Sequence, residues 1–184
     1  MHCVGKHDER GLAMCWKCDH PGATTEEYLA ELRETVLKHG WAVQYVESER
    51  TPFAYTIGLT RYGLPELLTT GLPPRRSARL LNALGRRAVS DQPSKHGAQV
   101  ALLAGPLVEM VEVEHPDVYL IFAGAMFGDE VTALHAVWVD ARGRWPWSPR
   151  FDDGRGTQPV LGVRGGNTGV KLAAHPGTLL FHGV

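Results

Sequence analysis

The chain has 184 residues, with 19 lysine or arginine side chains, 20 aspartate or glutamate side chains and a formal net charge of −1. This length suits one domain with a substantial core. The small charge gives no overall attraction to nucleic acid or to an anionic membrane, so either contact would need a local patch. The longest apolar run, residues 118–127, is too short to span a bilayer. The first residues lack the apolar region of a signal peptide, so a cytoplasmic location with reduced thiols is expected.

Residues 1–22 form a Cys/His-rich segment that contains all three cysteines of the chain. Two of these cysteines are separated by two residues, a spacing that allows both thiolates to reach one zinc ion, and zinc prefers thiolate and imidazole ligands. The pattern predicts a structural zinc site that anchors the segment, with the ligands Cys15, Cys18, His20 and Cys3, and with His7 or His2 as substitutes for Cys3. Thiols without a metal and a redox-active dithiol are the alternatives.

Two helices are predicted, over residues 25–39 and 75–89. Thr24 and Glu27 have the spacing of a capping box at the start of the first helix, and Gly40 is placed to end it. Pro73-Pro74 opens the second helix. Each helix has an apolar stripe at helical spacing, which consists of Leu29, Leu32 and Val36 in the first and of Leu80, Leu81, Leu84 and Ala88 in the second.

Alternating apolar residues predict a series of strands, at residues 41–45, 53–59, 67–70, 107–113 and 133–139. Residues 117–127 are ambiguous: Pro116 could be the first residue of a helix, but their composition favours a strand in the first part and a turn at residues 124–128. After the last strand, Asp140 to Gly143 resembles a hairpin turn, with residues 145–147 returning along a sheet edge. The pattern predicts the α+β class, as a single domain with a mainly antiparallel sheet and two main helices packed on one face.

Several separated blocks of the sequence resemble the DUF4262 family, a group of bacterial and phage proteins that is common in actinobacteria. In chain order the blocks are CWKCDHPGATTEEYL, GWAVQ, PFAYTIGLT, GLPELLTTGL, AVWVD with ARGRWPW, and QPVLG. The resemblance runs from about Cys15 to Gly162 and implies no particular chemistry, since the family name records an unknown function. Residues 23–162 are expected to form the DUF4262-like domain, followed by a Gly-rich C-terminal extension at residues 163–184.

Tyr55, Glu66 and Asp140 are the candidate catalytic residues. In an enzyme, such as a metal-assisted hydrolase, they would lie within mutual reach in a pocket between the second strand and the Trp-rich hairpin. Glu66 is the best acid or base candidate if it is buried, whereas Asp140 is more simply explained as the cap of its turn. His115 and His135 are expected to be hydrogen-bonded core histidines. No recognisable catalytic motif accompanies these residues.

The second predicted helix is the most basic element of the chain. Arg75, Arg79 and Arg86 could share a face that contacts phosphates. Three functions therefore compete: a zinc-stapled module that binds a protein or another macromolecule, a small-molecule enzyme, and a nucleic-acid binder. The first is favoured, because a metal half-site is present without a catalytic set. No membrane contact is expected.

Overall fold

A computed structural model describes residue 22 and residues 24–48, 51–103 and 105–165. Its strands are β1 (Ala42–Val46), β2 (Phe53–Ile57), β3 (Glu66–Thr70), β4 (Gln99–Ala101), β5 (Leu107–Glu112) and β6 (Ala133–Trp138). Its α-helices are α1 (Thr25–His39), α2 (Pro74–Val89), α3 (Pro116–Tyr119) and α4 (Ile121–Phe127), with short 3-10 turns at Leu59–Tyr62, Gly128–Glu130 and Phe151–Gly154.

The strands of this part of the chain form one sheet in the order β1-β2-β3-β6-β5-β4. Every neighbouring pair is antiparallel except β3 and β6, which run parallel and join the two halves of the sheet. The parallel register pairs Glu66 with Ala133 and Leu68 with His135. The predicted α+β class, with a mainly antiparallel sheet in a single domain, is confirmed.

Both faces of the sheet are covered, because successive strand residues alternate between two apolar clusters. Val43 and Ala54 belong to the cluster that contains the buried side chains of α2, whereas Ala42 and Tyr55 belong to the cluster of α1. Neighbouring residues of a strand point to opposite faces. Helices α1 and α2 therefore pack on opposite faces of the sheet, whereas the sequence pattern predicts both on the same face.

Helix α1 has the ends that the sequence predicts. The Thr24 hydroxyl accepts a hydrogen bond from the Glu27 N–H at 3.2 Å, and the Glu27 carboxylate accepts one from the Thr24 N–H at 2.7 Å. At the other end, Gly40 has a φ of 90°, and its N–H donates to the Val36 carbonyl at 2.9 Å. These caps satisfy backbone groups that a helix end otherwise leaves without partners.

The prediction of a strand and a turn at residues 117–127 is wrong, because α3 and α4 occupy this stretch. Pro116 stands at the first helical position, where its missing N–H costs nothing. Leu120 and Ala123 are completely buried in the α1 cluster at a helical spacing of three residues. His115 precedes α3 and is exposed, so the expectation of a core histidine at this position is also wrong.

The predicted return strand at residues 145–147 does not form. Near its end, β6 is paired with β5 on one side and with the Gln158 side chain on the other, so no free edge is left for a hairpin partner. Instead, the Trp145 and Trp147 rings stack on each other, with centroids 4.9 Å apart and planes 11° apart. The turn itself is present, since the Gly143 N–H donates to the Asp140 carbonyl at 2.9 Å.

Candidate functional site

Glu66 is completely buried at the start of β3, and its carboxylate is surrounded by hydrogen-bond donors. One oxygen accepts from the Thr56 hydroxyl at 2.6 Å. The other accepts from the Gly58 N–H at 2.8 Å, the Thr60 N–H at 3.0 Å and the Thr60 hydroxyl at 2.8 Å. The carboxylate thus fixes the backbone that leads from β2 into the turn at Leu59–Tyr62, and its lone pairs are already engaged.

Burial raises the pKa of Glu66 above its ordinary value, and the four hydrogen bonds oppose that rise. A raised pKa is typical of a general acid or base, but such a group must also reach a substrate. Each oxygen of Glu66 is instead directed at the protein's own donors. The geometry therefore describes a structural clamp on the loop between β2 and β3.

Tyr55 is buried on the α1 face of β2, and its hydroxyl accepts from the Phe122 N–H at 3.3 Å. Burial raises the pKa of Tyr55 well above its ordinary value, so the phenol stays protonated. Glu66 lies beside Ala133 at the start of β6, whereas Asp140 follows the end of that strand. At about 3.3 Å per residue over seven residues, these two acids are about 23 Å apart along the strand direction. The structure does not bring the three candidate catalytic residues into one pocket.

Asp140 holds together the loop that follows β6. One carboxylate oxygen accepts from the N–H groups of Arg142 and Arg144, each at 2.9 Å. The other accepts from the Arg144 Nε at 2.7 Å and from the Asp152 N–H at 2.9 Å. Desolvation alone would raise the pKa of Asp140, but these four bonds hold it well below its ordinary value. The expected role as a turn cap is confirmed, and it extends to the more distant Asp152.

His135 lies completely buried in the centre of β6. Its Nδ1 accepts from the Leu161 N–H at 3.2 Å, so the ring proton is on Nε2, which lies 3.2 Å from the Thr70 hydroxyl. That hydroxyl donates in turn to the Pro159 carbonyl at 2.9 Å. Burial lowers the pKa of His135 to about 3. The expected hydrogen-bonded core histidine is confirmed at this position.

Residues 157–164, which we call the strap, lie over the sheet where β3 and β6 separate beyond the Leu68–His135 pair. The Gln158 side chain takes the place of a neighbouring strand, because its oxygen accepts from the Trp138 N–H at 2.8 Å and its nitrogen donates to the Trp138 carbonyl at 2.9 Å. The strap therefore fills a position where open sheets with parallel strands commonly bind ligands. Sequence patterns did not reveal this contact, whose partners are 20 residues apart.

The end of the strap is held by an ion pair and by aromatic stacking. Two nitrogens of Arg164 donate to the two carboxylate oxygens of the buried Glu109, at 2.8 and 2.9 Å. The guanidinium also lies 3.6 Å from the centroid of Trp147. Trp138 is buried in the core, and Trp147 packs against the strap through this contact.

Replacing Gly162 by alanine is expected to detach the strap. A Cβ at this position would lie 1.8 Å from the Glu112 carbonyl oxygen, and the φ of 157° is one that side chains rarely adopt. Hydrogen exchange of residues 157–164 should accelerate at least tenfold. Gly143→Ala is the matched control, since Gly143 also has a positive φ but has no neighbour within 4 Å. Equal exchange rates in both variants would show that Gly162 is not packed against the Glu112 carbonyl.

An open cavity of about 270 Å³ lies beside the strap and is lined by His96, Glu112, Val113, Glu114 and Val163. The His96 Nδ1 accepts from the Glu112 N–H at 2.9 Å, so the imidazole already serves the fold. Within the described ranges, no three His, Cys, Asp or Glu side chains are grouped closely enough to hold a metal ion. The predicted zinc ligands Cys15, Cys18, His20 and Cys3, with His7, lie outside those ranges.

The exposed side of α2 carries five arginines. At 3.6 residues per turn they occupy about a third of the helix circumference. The helix contains no acidic residue, and none of these arginines forms an ion pair or a hydrogen bond through its side chain with another described residue. We call this surface the arginine face, which consists of Arg75, Arg76, Arg79, Arg86 and Arg87.

The buried side of α2 fixes the arginine face on the sheet. Leu81 and Leu84 are almost completely buried against the first three strands. Gly85 allows a close approach of Trp41, whose ring would lie 3.0 Å from a Cβ at this position. The Trp41 Nε1 donates to the Asn82 side-chain oxygen at 2.9 Å. The five arginines are therefore presented by a rigid helix.

Sheet, helices and arginine face together define a small α+β protein with a basic helical surface and no converging catalytic set among the described residues. The chain belongs to the DUF4262 family, described as a domain of unknown function, and matches it over residues 35–152. The match includes all the strands and α2, but neither the strap nor the Cys/His-rich segment. No curated protein and no solved structure shows a significant match to the chain. In the described part of the chain, no helix has the length and apolar character needed to cross a membrane.

Proposed function

We propose that this protein is a non-catalytic binding module that binds nucleic acid through the arginine face of α2. The observation that carries this proposal is a set of exposed arginines that have no ion-pair partner among the described residues. Phosphate groups are the natural partners of such side chains, since a guanidinium binds two phosphate oxygens at once. Because the net charge of the chain is small, attraction to phosphates requires a local basic surface such as this one.

Salt dependence is the measurement that tests this function. Five phosphate contacts correspond to a slope of about −4.5 for log affinity against log salt concentration, or about a 500-fold loss between 50 and 200 mM salt. Binding of fluorescent mixed-sequence DNA and RNA would be measured by anisotropy at several salt concentrations. Absence of binding at 50 mM salt would refute the proposed function.

The triple variant Arg75→Gln, Arg79→Gln, Arg86→Gln is expected to reduce the magnitude of that slope by about 2.7, because each lost phosphate contact accounts for about 0.9. The matched control removes three exposed arginines located elsewhere: Arg33→Gln, Arg150→Gln and Arg155→Gln. This control changes the net charge by the same amount. If both triple variants weakened binding equally, the effect would come from net charge rather than from the arginine face.

The Cys/His-rich segment adds a structural zinc ion to this proposal, with Cys15, Cys18, His20 and Cys3 as ligands. The support is the ligand types and their spacing in the sequence. Elemental analysis of the purified protein should find one zinc per chain, and the double variant Cys15→Ser, Cys18→Ser should lose it. The structural zinc site would be contradicted if the purified protein contained no metal and a chelator did not change its melting temperature. The proposed location is the cytoplasm, where thiols stay reduced.

The hydrolase alternative has less support. It needs a substrate pocket that joins Tyr55, Glu66 and Asp140, and these residues serve three separate structural contacts. An unknown protein partner, the first expectation from the sequence, is the other alternative. A pull-down in which the triple arginine variant retains every partner would favour such a protein partner over nucleic acid.

A further inference from the structure

The arginine face consists of two groups, one near each end of α2. Arg75, Arg76 and Arg79 lie in the first turns of the helix, and Arg86 and Arg87 lie in the last. Between the groups, the same side of the helix presents only the half-buried Ala83 and Asn82. The centres of the two groups are about ten residues apart, or about 15 Å at 1.5 Å per residue.

We infer that the partner is double-stranded DNA, and that α2 lies across a groove so that each arginine group contacts the phosphates of one strand. This inference rests on the proposed function and specifies its partner. A duplex presents two phosphate rows separated by a groove, and the major groove is about 12 Å wide. Arginine side chains that reach outward from two groups about 15 Å apart match two such rows.

A single strand suits this surface less well. Single-strand binders combine a continuous basic track with exposed aromatic rings on which the bases stack. Helix α2 contains no aromatic residue, and the nearby Trp41 is only half-exposed, with its ring against Gly85. The gap at Ala83 also interrupts the track of positive charge. Both features favour the duplex.

The same surface predicts that binding does not depend on the base sequence. Asn82 is the only side-chain amide of α2. Its oxygen accepts from Trp41, which holds the amide against that ring rather than in the orientation of the two-bond contact by which asparagine recognises adenine. The other polar side chains of α2 that point away from the sheet are the arginines near its two ends. There they would contact the phosphate backbone of the DNA. Phosphate contacts fix position without reading sequence.

The test compares a fluorescent mixed-sequence DNA duplex with each of its single strands and with an RNA duplex of equal length at 50 mM salt. The DNA duplex should bind at least tenfold more tightly than either single strand, and more tightly than the RNA duplex, whose major groove is too narrow for a helix. Replacing two arginines of either group, by Arg75→Gln with Arg76→Gln or by Arg86→Gln with Arg87→Gln, should reduce the magnitude of the salt slope for the DNA duplex by about 1.8. The control, Arg33→Gln with Arg155→Gln, should leave it almost unchanged.

Equal or tighter binding of a single strand or of duplex RNA would overturn the duplex DNA assignment while leaving the proposed function intact. The same conclusion would follow if only one end group affected the slope, because the helix would then not bridge two strands. A preference of more than tenfold for one DNA sequence over others would overturn the backbone-only contact. Failure of every probe to bind would overturn the proposed function itself.

Discussion

Replacing Glu66 by alanine is expected to lower the free energy of unfolding by about 3–5 kcal/mol, as does the removal of one partner from other buried polar networks. The carboxylate accepts from Thr56, Gly58 and Thr60 at the centre of the sheet. Without it, these donors are left in a site that water cannot readily enter. The measurement is urea denaturation at neutral pH.

Two further variants separate the role of the carboxylate from that of its volume. Glu66→Gln keeps the shape but offers a single acceptor oxygen to four donors, so it should cost about 1–3 kcal/mol. Glu34→Ala removes an exposed glutamate from α1 and should cost less than about 0.5 kcal/mol. If Glu66→Ala were as stable as the wild type, the carboxylate would not be the clamp that its contacts describe.

The stability of the protein is expected to fall steeply in mild acid because of His135. Its pKa in the folded state is about 3, whereas an unfolded histidine has a pKa of about 6.5. Between these values the unfolded chain binds a proton that the folded chain does not. The stabilising contribution is therefore complete above about pH 6.5 and decreases by up to about 1.4 kcal/mol per pH unit as the pH falls towards 3.

His135→Gln should remove most of this pH dependence, because glutamine does not titrate but can still accept from the Leu161 N–H. The control is His115→Gln, which replaces an exposed histidine and should retain the wild-type profile. The free energy of unfolding would be measured at several values between pH 4.5 and 7.5. A wild-type profile that stays flat below pH 6.5 would show that the imidazole is not held in its neutral form.

Local sequence signals predict those elements whose ends are marked by capping residues. Helix α1 was placed correctly because its capping residues and its apolar stripe lie within a few residues of one another. The prediction for residues 117–127 is wrong because β-branched and aromatic residues favour a strand, whereas the packing of Leu120 and Ala123 in the α1 cluster selects a helix. Tertiary contacts of this kind override local preference.

The site could be predicted only in part, because its contacts join distant positions. The arginine face was visible in the sequence, since one helix carries all of it. The donors around Glu66 and the pairing of Gln158 with Trp138 depend on how strands and loops meet across the sheet. No periodic pattern in the sequence predicts such long-range contacts. The zinc ligands stay a prediction, as they lie outside the described residues.

The single parallel pair in the sheet has a consequence for how the chain assembles. Strands β1, β2 and β3 follow one another both in sequence and in space, as do β4, β5 and β6, so each trio can form from nearby residues. Among the described strands, the backbone pairing between the trios is the short parallel register of Glu66–Leu68 with Ala133–His135. Contacts between such distant residues are slow to form, because a long intervening loop must be closed first. The union of two preformed meanders is therefore expected to limit the folding rate, and two completely buried titratable groups, Glu66 and His135, stand at that junction.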